Sequence, residues 1–147
     1  MGTDAQIITA CQQTIFGYAH SRDAVALDEN AALFTEDATL RIRDTLLSGK
    51  AEIKASLAER GPKQGTRHLM TSVSIDIDAS KNVSGKSYAL IYAGALKSSR
   101  SKSSPQDLGA DGPLTLKYIL TYKDDFEVVG MKCLIKHRHI IIENVEN

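Results

Sequence analysis

Apolar positions recur at helical spacing near the start of this chain and alternate residue by residue through most of its second half. In DAQIITACQQTIFGYAHSRD, residues 4–23, Ile7, Ile8, Cys11, Ile15, Phe16, Tyr18 and Ala19 fill one arc of about 180° at about 100° per residue. That spacing predicts an amphipathic helix ending by residue 21 or 22, with Asp4 as N-cap or first-turn acid. A second short helix is expected across DAVALDENAALF, with Ala26, Leu27, Ala31, Leu33 and Phe34 on its apolar side. EDATLRIRD alternates and reads as a strand. SGKAEIKASLAERG is a third helix, with Ile53 and Leu57 four apart and Gly61-Pro62 to end it.

Only strands are expected after that. GTRHLMTSVSIDID places Val73, Ile75 and Ile77 between polar neighbours, and GKSYALIYAGALK is apolar on both faces, as a central strand would be. LTLKYILTY puts Leu114, Leu116, Tyr118, Leu120 and Tyr122 on one face, and MKCLIKHRHIIIE closes the chain. Residues 97–113, rich in Ser, Gly and Pro, are expected to be a flexible loop between strands, or a lid. Three helices with a mostly antiparallel sheet make an α+β fold, expected as one domain over residues 1–147. The first helix should pack in the curve of the sheet and leave an apolar pocket where the curvature is greatest.

Composition narrows the function classes. The 147 residues are 42% hydrophobic and 24% charged, with 18 basic against 18 acidic side chains, so net charge offers no pull toward nucleic acid or anionic membrane. No apolar run approaches membrane-spanning length, and the N-terminus has neither the basic start nor the apolar run of a signal peptide. A cytoplasmic location is the expectation. Cys11 and Cys133 stand outside any metal-ligand spacing and are expected as two buried thiols, with a disulfide as the alternative. No phosphate loop, GxSxG or HExxH motif is present, and neither metal nor cofactor is expected. Lys136, His137, Arg138 and His139 read as a basic strand end, and His20 as exposed.

Five stretches in order, YAHSRD…LFTEDATL, SGKAEIKASLAE, RHLMTSVSIDID, SYALIYAG and KCLIKHR, resemble the SnoaL-like branch of the nuclear-transport-factor-two-like superfold. The resemblance covers nearly the whole chain. It implies a cone-shaped curved sheet wrapped on helices around a deep apolar pocket, and assembly as a homodimer or homotrimer. Members of that superfold include polyketide cyclases, scytalone dehydratase, a hexachlorocyclohexane dehydrochlorinase, ketosteroid isomerases, epoxide hydrolases and non-catalytic subunits, so the fold leaves the reaction open. In the dehydratase and dehydrochlorinase members an Asp at the end of the first helix holds a His from the strand after the third. Here those positions carry Asp23 and His68. Tyr18 stands where the family places a pocket-lining polar group, and Cys133 stands where a Trp is usual.

An imidazole held by a carboxylate on one nitrogen can work as a general base with the other. The residues themselves give mixed support. Asp23 falls at about 80° from Ile15 on the helical wheel, inside the apolar arc, if the helix reaches it, and otherwise caps the second helix. Arg22 would lie nearer the arc's centre still. Strict alternation puts His68 with Met70, Ser72 and Ser74, opposite Val73, Ile75 and Ile77, unless a bulge switches the faces. Beyond Asp23 and His68, the expected substrate contacts are Phe16, Tyr18, Met70, Tyr88, Tyr92, Tyr118 and Tyr122. The four strand tyrosines are expected mainly as core, with one or two hydroxyls reaching the pocket.

The resulting expectation is a cofactor-independent dehydratase, isomerase, lyase or aldol-type cyclase acting on a small apolar, aromatic or polycyclic molecule. The alternative is a non-catalytic ligand-binding module or small subunit of an oligomeric enzyme, such as a ring-hydroxylating dioxygenase. A pocket filled by Tyr and Leu side chains would favour that alternative. Epoxide hydrolysis fits less well, because no Arg is placed with Asp76 and Asp78.

Overall fold

The computed structural model describes residues 2–60, 65–96 and 110–145. Helix α1 spans Asp4–Ala24, α2 Leu27–Ala31 and α3 Lys50–Arg60. The strands are β1 (Phe34–Ile42), β2 (Thr45–Ser48), β3 (Gly65–Ile77), β4 (Val83–Leu96), β5 (Ala110–Val129) and β6 (Lys132–Asn144). They form one six-stranded sheet in the order β2-β1-β6-β5-β4-β3, antiparallel at every pairing but β1 with β6. This is the expected α+β architecture, a curved, mostly antiparallel sheet with the helices N-terminal.

Thr3, not Asp4, caps α1. Its side chain accepts from the Gln6 N–H while the Gln6 side chain accepts from the Thr3 N–H, leaving Asp4 as a first-turn acid. The helix runs past its expected end to Ala24 and stops at Val25, which adopts a left-handed conformation at φ 51°. Its buried face, with Ile7, Cys11, Ile15 and Tyr18, joins Ile53 of α3 and the inward side chains of the sheet in one apolar cluster.

Several expectations are corrected. Leu33 and Phe34 lie outside α2, and Phe34 instead opens β1, fully buried. β2, absent from the sequence reading, pairs with β1 through a short and mostly exposed run. β5 begins at Ala110, inside the stretch read as a loop; the remainder of that loop, 97–109, and the Gly61-Pro62 stop lie outside the described residues. The two cysteines are not thiols. Cys11 and Cys133 form a disulfide with their Cα atoms 5.0 Å apart, within the span such bonds require. The buried face of α1 crosses the start of β6 there, where the Thr14 hydroxyl also donates to the Cys133 carbonyl at 2.5 Å. A contact between residues 122 positions apart leaves no trace in local spacing. It also removes the support that free thiols lent to a cytoplasmic location. No described helix is long and apolar enough to cross a membrane.

Two bulges decide which side chains face inward. In β3 the pairing with β4 shifts between Thr71 and Ser74, and Ser72 takes φ 49°. Before the shift the even-numbered Thr66, His68 and Met70 are the half-buried positions; after it Val73, Ile75 and Ile77 are. In β6 the pairing shifts between Ile135 and His137, so Ile135, Arg138 and Ile140 point in, and His137 and His139 point out.

Candidate functional site

The extension of α1 to Ala24 carries Asp23 to the start of β3, where three donors meet its carboxylate. The Thr66 hydroxyl donates to Oδ1 at 2.9 Å, the His68 backbone N–H to Oδ2 at 2.9 Å, and His68 Nδ1 to Oδ1 at 2.5 Å. A carboxylate only accepts, so Nδ1 carries the hydrogen, and in the neutral imidazole Nε2 then holds a lone pair. The His68 and Asp23 side chains are 8% and 13% exposed. Asp23 is therefore part of α1 and not a cap of α2, whose N-cap Ala26 makes no side-chain cap bond. The β3 bulge lets His68 face inward although strict alternation would set it opposite Val73.

His68 lies on the wall of a cavity of about 420 Å³ enclosed by α1, α3 and the inner face of the sheet. Leu40, Ile42, Leu47, Ile53, Leu57, Ile91, Leu120, Ile140 and Ile142 make most of the lining apolar, and Tyr18, Tyr118, Tyr122, Asn30, Ser56 and Arg22 supply polar groups. The volume falls in the range of small-molecule sites. Of the expected substrate contacts, then, Tyr18, Tyr118, Tyr122 and His68 reach the cavity. Phe16, Met70, Tyr88 and Tyr92 do not line it. Phe16 lies on the exposed side of α1, and Met70 packs against the apolar cluster. Along β4 the odd-numbered Ser87, Ala89, Ile91 and Ala93 are buried, which turns Tyr88 and Tyr92 to the outer face.

A second polar group went unread in the sequence. Arg138 is 1% exposed and donates from Nε and Nη2 to the two oxygens of Asp124, both at 2.7 Å. Its guanidinium also lies over the rings of Tyr18 and Tyr122, 4.2 and 4.3 Å from their centroids. Burial works against the charge, but the Asp124 carboxylate outweighs it and holds the guanidinium above the ordinary arginine range. Burial likewise pushes the Tyr122 phenol well above the usual tyrosine value. Arg138 Nη1 and Ser87 Oγ are buried without a hydrogen-bond partner among the described residues. His137 and His139 are exposed, as the basic-strand-end reading expected, but they lie in the middle of β6, and the reading fails for the buried Arg138. The signal was available: Arg138 is in phase with Ile140 and Ile142, and Asp124 continues the face of Leu120 and Tyr122.

A larger groove of about 650 Å³ lies on the outer face of the sheet among charged side chains, including Arg41, Lys86, Lys123, Asp125 and His139. It is remote from the Asp23–His68 contact and is a surface trough rather than an enclosed site. Among the described residues no cluster of three or more His, Cys, Asp or Glu side chains could hold a metal ion.

The sequence model of the SnoaL-like domain family matches residues 3–139. No curated protein matches the chain in sequence. Among solved structures, a protein of unknown function with a cystatin-like fold from Nostoc punctiforme superposes with TM-score 0.76 at 15% identity, covering 97% of this chain and 96% of its own. Aln2 from a Streptomyces species gives TM-score 0.72 at 19% identity, with coverages of 98% and 94%. A candidate scytalone dehydratase from Novosphingobium aromaticivorans gives 0.71 at 20% identity, with 95% and 87%. At such identities these likenesses speak for the fold alone.

Proposed function

The chain belongs to the SnoaL-like family, and from that premise we propose that it is a cofactor-independent acid–base enzyme that removes a proton from a small, largely apolar carbon acid. The observation that carries this reading is the Asp23–His68 contact at the wall of an open cavity. Asp23 fixes the Nδ1–H tautomer and would stabilise the imidazolium, while Nε2 accepts the substrate proton and can return it to a leaving group or to another carbon. The hydroxyls of Tyr18, Tyr118 and Tyr122, which line the same cavity, are candidates to steady the oxyanion that forms as the proton leaves. Elimination, isomerisation and aldol-type ring closure all begin with this step. An aromatic or polycyclic substrate suits the apolar lining, and a homodimer or homotrimer is part of the same proposal.

The open cavity speaks against a dioxygenase-type subunit, in which Tyr and Leu side chains would fill that space, and turnover separates an enzyme from a ligand-binding module. The test is a turnover screen on carbon acids with His68→Ala and Asp23→Asn, together with ¹⁵N NMR of the histidine rings. Wild type should hold His68 in the Nδ1–H tautomer and Asp23→Asn should lose that preference. His68→Ala should lower turnover about 10²–10⁴-fold with little change in melting temperature. Unchanged turnover, or the same tautomer mixture in both proteins, would refute the assignment.

A further inference from the structure

Arg22 is a cation on the cavity wall. The extension of α1 to Ala24 keeps it helical and places it on the same side of the wheel as Ile15 and Tyr18, both buried. It lines the cavity and is half-buried, yet its guanidinium has no hydrogen bond or ion pair with any described residue. Asp23, next in sequence, turns its two oxygens to Thr66 and His68 and forms no ion pair with Arg22. No carboxylate lines the cavity among the described residues. The charge is felt inside, where it draws the Tyr122 phenol down against the larger upward push of burial.

An arginine in the last turn of a helix is ordinarily explained by the negative end of the helix dipole. That account suits a guanidinium reaching into water. It does not account for a half-buried one that lines an apolar cavity, where a cation that loses water is unfavourable unless something charged or polar joins it. A guanidinium offers five donors in a planar fork that matches an acidic oxygen group.

We propose that Arg22 makes the cavity selective for ligands bearing an anionic oxygen group, a carboxylate or an ionised phenol, on an apolar and preferably aromatic frame. This rests on reading the cavity as the substrate site and adds a substrate class to it. Bound there, the anion sits against Arg22 while the apolar frame fills the space between α3 and the sheet, within reach of His68. A neutral ligand of the same shape leaves the guanidinium unpaired and binds less well.

Equilibrium binding separates this claim from catalysis. The probes are 1-naphthoate and 1-naphthamide, two bicyclic ligands alike in size and different in charge, with 1-naphthol carried through alkaline pH for the phenol arm. Calorimetric titration is run at one fixed pH, and His68→Ala tests whether His68 supplies the charge. Naphthoate should bind about ten- to a hundred-fold more tightly than the amide, as expected for hydrogen bonds to a charged group. Arg22→Gln should abolish the preference and Arg22→Lys should keep part of it. His68→Ala should leave the preference in place, so a failed catalytic reading would show in turnover and not here. Equal binding of acid and amide by the wild type, binding of neither, or a preference that survives Arg22→Gln would each overturn the proposal.

Discussion

Asp124→Ala is the sharpest probe of how the cavity's Tyr18 and Tyr122 are held in place. Both side chains of the Asp124–Arg138 pair are fully buried, so solvent screening does not dilute the interaction. Removing the carboxylate deletes two short charge-assisted bonds, about 1.5–3 kcal/mol each, and strands a cation in the core. The expected loss is about 3–5 kcal/mol, a large part of a total stability of about 5–15 kcal/mol. Arg138→Met should cost at least as much, because it strands the carboxylate and also strips two ring faces of their cation, each contact worth up to about 2 kcal/mol when desolvated. The double variant Asp124→Leu/Arg138→Met removes both charges and should recover much of the loss, giving a coupling of about 3 kcal/mol or more. Urea unfolding followed by far-UV circular dichroism is the assay, since the chain has no tryptophan. If the single variants do not fold at all, a folded double variant carries the same message. A loss below about 1 kcal/mol for Asp124→Ala, or simple addition of the two single losses in the double, would refute the reasoning.

Two further outcomes follow from buried groups. The Cys11–Cys133 bond closes a loop across 122 positions, for which chain-entropy treatment gives up to about 5 kcal/mol and experience with other proteins about 2–4; replacing both cysteines by alanine should lower the melting temperature by about 10 °C. Two thiols titrating in unreduced, denatured protein would contradict the pairing. The Tyr122 phenol, raised by burial, keeps its proton in the native state when the unfolded chain, titrating near 10, gives its proton up. The native state then binds more protons than the unfolded one, so stability from this group is intact below about pH 10 and falls by up to about 1.4 kcal/mol per unit above it. Absorbance at alkaline pH should show one tyrosine ionising only as the protein unfolds, and that late phase should vanish in Tyr122→Phe. An ordinary five-tyrosine titration in the folded protein would rule this out.

Periodicity made the elements legible and left their phases open. Helical spacing in residues 4–19, alternation in β3 and β5 and the apolar run of β4 follow directly from which side chains must leave water, so the architecture could be read from them. The ends could not. Two more residues of α1, which decide whether Asp23 and Arg22 face the cavity, depend on Val25 closing the helix in a left-handed conformation, and a β-branched residue gives no sequence hint of that. The inward turn of His68 depends on one extra residue near Ser72, a non-glycine at positive φ that alternation treats as ordinary. The family resemblance, not the periodicity, located His68. Arg138 was missed for the opposite reason: its phase was correct, but its basic neighbours made it look like part of a solvated cluster. β2 escaped because four residues with little burial carry almost no hydrophobic signal.

The charges around the cavity are settled unequally, and that inequality points to function. Asp124 cancels Arg138 through two bonds in a site sealed from water, so that pair organises Tyr18 and Tyr122 without adding net charge to the cavity. Asp23 is satisfied by Thr66 and by both donors of His68, which leaves one basic nitrogen on the wall. Arg22 alone carries a full charge with no described partner. A cavity built only to bind apolar surface would have no use for that cation, and a cavity built only to brace the fold would have paired it. A basic nitrogen and an unpaired guanidinium on one apolar wall instead suit a reaction in which a proton leaves carbon and negative charge accumulates close by. Conditions that stabilise that charge lower the barrier more than they strengthen ground-state binding. For this reason Arg22→Gln should reduce turnover of an acidic substrate through kcat as well as through binding, whereas a role confined to holding the acid group would appear in KM alone.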